Sequence, residues 1–109
     1  MERPILSRFA LATAFSPRFL SGLAEAWRFA ARFQASFSII HVGDRTVEKE
    51  MILAETMQHL SIPLETSMIW RTGDPVDELV QATREENIDL LVAGASLTTH
   101  SDVPTSVVV

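Results

Sequence analysis

With 109 residues the chain has room for one domain and not two. Hydrophobic residues at 47% can build a core, and 21% charged residues exclude a polyelectrolyte tail. Nine Lys and Arg against fourteen Asp and Glu, with no Cys, argue against a phosphate-neutralising nucleic-acid binder and exclude disulfides, thiolate metal sites and Cys nucleophiles.

No apolar run approaches the ~18 residues of a membrane span, so no membrane association is expected. Arg3, Arg8 and the Ala12-Thr13-Ala14 tripeptide have the outline of a secretory leader. Arg8 interrupts the apolar run, however, and Phe9–Thr13 reads instead as a short buried strand. A reducing cytoplasm is the expected compartment.

Ser16-Pro17 then offers an N-cap and a first-turn proline. Leu20, Leu23, Ala24, Trp27, Ala30 and Ala31 recur at helical spacing, which predicts a helix over 17–34. Phe29 and Phe33 widen its apolar face; burial is expected of them, with a partner surface as the alternative. Ser36–Val42 reads as a second buried strand, followed by a Gly43-Asp44-Arg45 turn. A second helix is predicted over 46–60, with Val47, Met51, Ala54 and Gln58 on one face and Met57 and Leu60 beside it. Leu64–Arg71 mixes polar and apolar residues, as an edge strand does.

Gly73-Asp74-Pro75 is the clearest local signature. Asp74 caps a helix, Pro75 takes its first turn, and Asp77 adds charge of the favourable sign. Val76, Leu79, Val80 and Thr83 form its expected stripe, and Asn87 suits a left-handed exit. Ile88–Ala95 reads as a central strand and Thr105–Val109 as another. The alternation of strands and helices predicts a mostly parallel, Rossmann-like sheet with helices on both faces. Only Ser96–Pro104 separates the last two strands, short of the dozen or more residues a parallel crossover needs, so either the last strand is antiparallel or a connection is missing.

Three stretches resemble the universal stress protein family. Phe9–Pro17 resembles the family's first strand and the Thr-Asp turn that follows it. Ile39-Ile40-His41-Val42 resembles the end of its second strand. Gly73-Asp74-Pro75 through Gly94-Ala95 resembles its Gly-x-Pro helix start and Asp-Leu-Leu-Val-x-Gly strand. The resemblance implies a doubly wound five-stranded sheet in the order 3-2-1-4-5. It also implies a regulatory, stress-response role, binding of ATP or AMP, and a homodimer formed through Thr105–Val109.

Two departures stand out. Ala14 occupies the position of the family's nucleoside-binding Asp. Of the family's Gly-x-x-Gly…Gly-Ser/Thr phosphate motif, Gly94 is present and Leu97 replaces the second Gly. Thr99–Val108 again resembles the family, at the end of its fourth helix and its fifth strand. The phosphate loop and most of the fourth crossover helix are therefore expected to be missing, a stretch of about twenty residues.

Ligands of doubly wound sheets sit at the carboxyl ends of strands where the order reverses. The resemblance puts Ala12, Thr13, Ala14, Phe15, Gly94, Ala95 and Ser96 there, with Val42 against a base. His41, His59 and His100 lack metal-ligand spacing, so no metal is expected. His41 reads as a buried, hydrogen-bonded His, Asp44 as a turn former, and Glu85-Glu86 as a solvated face. Trp27 and Trp70 read as core or interface anchors. No acid, base or nucleophile falls in the crevice, so enzymatic turnover is not expected. Two readings stay open: a nucleotide-responsive module, and a dimerisation or interaction domain that binds no nucleotide.

Overall fold

The computed structural model describes residues 7–15, 18–93 and 106–108. The strands are β1 (Arg8–Ala12), β2 (Ser36–Val42), β3 (Ser67–Arg71), β4 (Leu90–Val92) and β5 (Ser106–Val108). The helices are α1 (Phe19–Arg32), α2 (Val47–His59) and α3 (Pro75–Glu85). The strands form one sheet in the order β3-β2-β1-β4-β5, and each neighbouring pair is parallel. Both the strand order and the α/β layering match the expectation. β5 is parallel to β4, which corrects the antiparallel alternative; β4 ends earlier than expected, so residues 93–105 connect the two, enough for a parallel crossover. The expected loss of a fourth helix lies outside the described residues.

Local chemistry explains the elements. β1 and β2 are buried because helices cover both faces of a parallel sheet. On one face, Phe9, Leu11, Phe37 and Ile39 pack under Leu23, Ala26 and Ala30 of α1 and Leu53 and Met57 of α2. On the other, Ala10, Ile40 and Leu91 pack under Leu79 and Ala82 of α3. Thr46 caps α2 by accepting from the Lys49 N–H at 3.2 Å. Asp74 caps α3 in the same way through Asp77 at 3.0 Å. Asn87 exits α3 with φ 53°, the expected left-handed conformation. The Ser16 cap proposed for α1 lies outside the described residues.

Several expectations need correction. α2 buries Leu53 and Met57, with Leu60 packed beside them, while Val47 and Met51 are 71% and 56% exposed. The expected face is thus turned to solvent. Phe29 and Phe33 are each 44% exposed and stack on the ring of buried Phe9 at the margin of the core. The third strand is shorter than expected, because the Thr66 N–H turns back to the Pro63 carbonyl at 3.0 Å. The fourth is also shorter; buried Ile88 and Ala93 flank it without joining the ladder. Glu85 is exposed, as expected, and is ion-paired there. It accepts from Arg71 Nη1 at 2.9 Å, while Arg71 Nε reaches Glu78 at 3.2 Å. The hydrogen bond from Arg71 holds Glu85 below its ordinary range, and Glu85 likewise raises Arg71.

Candidate functional site

The strand register brings the carboxyl ends of β1, β2 and β4 to one rim. Ala12 lies opposite Ile40 on one side, and Leu11 lies opposite Val92 on the other. Strand order reverses at β1, the place where doubly wound sheets take their ligands. Ala12 and Val42 are half-buried over the α3 layer. Thr13 extends the ladder, its N–H donating to the Ile40 carbonyl at 2.9 Å. Ala14 is exposed at the rim. Ala93 leaves β4 buried, while Gly94, Ala95 and Ser96 lie outside the described residues.

Phe15 turns the chain with φ 56°, a conformation that costs a bulky residue on the order of 1–3 kcal/mol. Several contacts hold it there. Its N–H donates to Thr13 Oγ1 at 3.2 Å. Its ring stacks on Trp70 at 5.9 Å, meets the His41 edge at 4.8 Å and tilts against Phe19 at 4.8 Å. On Trp70, the Arg45 guanidinium sits 5.4 Å from the ring centroid. Arg45 also forms a 2.8 Å ion pair with Glu50.

His41 ties this row to the backbone. It is only 5% exposed, and its Nδ1 donates to the Thr13 carbonyl at 2.7 Å. That carbonyl can only accept, so Nε2 is left to accept from Lys49 Nζ at 3.0 Å. Lys49 also donates to the Asp44 carbonyl at 2.8 Å. His41 is therefore the satisfied buried His expected from the sequence. Gly43 passes close by: a Cβ there would sit 2.7 Å from His41 Nε2, and its φ of 152° disfavours a side chain.

The sequence reading missed how Phe15, His41, Trp70, Arg45 and Lys49 come together. The register carries the information. Ala12 pairs with Ile40 and His41 with Trp70, so Thr13, His41 and Trp70 share one row and one face.

The rim is electrically uneven. α2 and α3 carry acidic residues in their first turns, whereas α1 carries none. Among the described helices, α1 alone has no acidic residue in its first turn, and its first residue, Phe19, packs against Phe15. No cluster of three metal-ligating side chains occurs among the described residues. No helix among them is long and apolar enough to cross a membrane.

No family model matches the sequence, and neither does any curated protein. Solved structures do match. A universal stress protein in complex with cAMP superposes with a TM-score of 0.69 at 25% identity, covering 94% of this chain and 94% of that chain. A protein of the universal stress protein family from Burkholderia pseudomallei gives 0.64 at 19% identity over 98% and 97% of the two chains. A universal stress protein family member from Arabidopsis thaliana with AMP bound gives 0.56 at 17% identity over 94% and 90%. Strand order and near-complete superposition agree that this chain has the fold of the universal stress protein family.

Proposed function

We propose that the chain is a regulatory, stress-response domain that binds an adenine nucleotide at the rim formed by β1, β2 and β4. The observation that carries this reading is the likeness to the cAMP-bound universal stress protein, which spans nearly all of both chains. The reversal of strand order at β1 supports it. Ala12, Thr13, Ala14, Phe15 and Val42 line the site in this reading, together with Gly94, Ala95 and Ser96, which lie outside the described residues. In this reading the chain is a single cytoplasmic domain, binds without turnover, and pairs with a second copy through the edge strand β5.

Equilibrium dialysis of the whole chain against AMP and cAMP tests the reading. Ala14→Asp restores a charged acceptor for the nucleoside, worth about 1.5–3 kcal/mol, and is expected to tighten binding about tenfold to a hundredfold. Uptake by neither the wild-type chain nor the variant would overturn the proposal. Phosphate release tracking the purified protein would overturn the absence of turnover.

A second reading is an interaction domain of the same fold that takes no nucleotide. The rim itself favours it in one respect: Ala14 offers no side-chain acceptor, and the Phe15 ring is already engaged with Trp70 and His41. Under this reading dialysis shows no uptake while size-exclusion chromatography still shows a dimer.

A further inference from the structure

Two residues at the rim depart from local preference, and both meet on His41. Phe15 holds a left-handed backbone at φ 56°. Lys49 puts a cation in the first turn of α2, where the helix dipole favours anions such as Glu48 and Glu50. Phe15 touches the imidazole edge at 4.8 Å, and Lys49 Nζ donates to Nε2 at 3.0 Å. Departures of this kind persist where other contacts outweigh them, and they gather at functional sites.

The contacts of His41 fix one peptide group. The Thr13 N–H donates to the Ile40 carbonyl at 2.9 Å, and the Thr13 carbonyl accepts from His41 Nδ1 at 2.7 Å. Both backbone groups of Thr13 therefore face β2. The Thr13 hydroxyl accepts from the Phe15 N–H at 3.2 Å, which ties the next turn to the same residue. No peptide bond among the described residues is cis, and in a planar trans peptide the N–H points opposite to the C=O. With the Thr13 carbonyl held toward β2, the Ala14 N–H is turned to the other flank of β1, the side of β4. The ladder between β1 and β4 ends at Leu11 and Val92, so this N–H stands beyond it, on an exposed residue.

We propose that His41 is a positioning residue of the ligand site: by holding the Thr13 carbonyl it aims the Ala14 N–H, as a hydrogen-bond donor, at an acceptor atom of the bound nucleotide. This rests on the nucleotide reading given above. Residue 14 then supplies through its backbone a polar contact that its methyl side chain cannot make. Lys49 serves the same end. An ammonium group only donates, so Nε2 keeps its lone pair and the ring proton stays on Nδ1, where the Thr13 carbonyl needs it. Burial of the ring, 5% exposed, keeps water from competing for that carbonyl.

NMR of the whole, isotope-labelled chain with AMP as the probe tests the proposal. Without ligand, at about pH 8, the His41 ring is expected to carry its proton on Nδ1 and none on Nε2. On addition of AMP the Ala14 amide proton is expected to move downfield as its N–H is newly bonded. His41→Phe keeps an aromatic ring and removes the donor. It is expected to weaken AMP binding about tenfold and to remove the Ala14 shift. His41→Asn puts an amide N–H where Nδ1 stood, the same number of bonds from Cβ, and is expected to recover most of both. Neither variant keeps the Nε2 acceptor for Lys49, so the difference between them reads the donor alone. The first two readouts use the wild-type chain, so they decide even where His41→Phe loses the fold. A ring proton on Nε2 alone, an Ala14 amide unmoved by bound AMP, or equal affinities of the Phe and Asn variants overturns the positioning role and leaves the nucleotide reading standing. No uptake of AMP by the wild-type chain overturns both.

Discussion

At the scale of single residues, Gly43 is the tightest point of the rim. Its backbone conformation and the 2.7 Å approach of a would-be Cβ to His41 Nε2 act against any side chain. Gly43→Ala is expected to cost about 1–3 kcal/mol, read as a lowered midpoint in urea unfolding, because the His41 ring cannot retreat without losing Thr13 or Lys49. Glu85 gives a pH-dependent counterpart. Its carboxyl titrates below the ordinary 4.5 because Arg71 donates to it. A depressed acid contributes stability that is present above 4.5 and is lost as pH falls through the folded-state value. The difference in Tm between the wild-type chain and Glu85→Gln is therefore expected to be present at neutral pH and to shrink as pH falls below 4.5. Much at this scale was legible in the sequence. Asp74 announced a cap, Asn87 a left-handed exit and His41 a satisfied core imidazole. The aromatic row was not legible, because Phe15 and Trp70 meet only once the strand register is set.

At the scale of elements, α2 shows where periodicity fails. Apolar residues surround it on both sides: Val47, Met51 and Ile52 on one, Leu53, Met57 and Leu60 on the other. A helical pattern can choose a face only when the other is polar. Here the sheet chooses, because Leu53 and Met57 meet Phe9, Leu11 and Ile39. Met57→Ala is expected to destabilise by about 2–5 kcal/mol, whereas Met51→Ala should stay within about 0.5 kcal/mol. Chemical denaturation of the two variants side by side checks this, and equal costs would refute the assigned face. The same logic explains α1. Trp27 leans on Phe37 on the β2 side, while Phe29 and Phe33 spill over the opposite flank, so a wide apolar arc is only partly covered. β1 and β2 were easier to read, since a strand covered on both faces carries a plain apolar run.

At the scale of the whole molecule, the sheet order followed from the strand–helix alternation together with the family resemblance. The connection between β4 and β5 was the part the sequence left in tension. β1 and β2 have partners on both sides, while β3 and β5 lie at the edges. Amide hydrogen exchange is therefore expected to be slowest at Leu11, Ile39 and Ile40 and faster along β3; a reversed order would contradict the pairing. The central position of β1 has a further consequence for biogenesis. β1, β2 and β3 are made early and can assemble under α1 and α2 as soon as Arg71 has emerged. The other side of β1 must wait for β4. Asp89 marks the moment of closure: its carboxylate accepts from the Ser7 N–H at 3.0 Å, the Ser7 hydroxyl at 2.9 Å and the Arg8 N–H at 2.9 Å. Until Asp89 arrives, a nascent chain carries an open, apolar strand edge at what will become its centre. Pairing of β4 with β1 closes that edge and ends the exposure to mispairing.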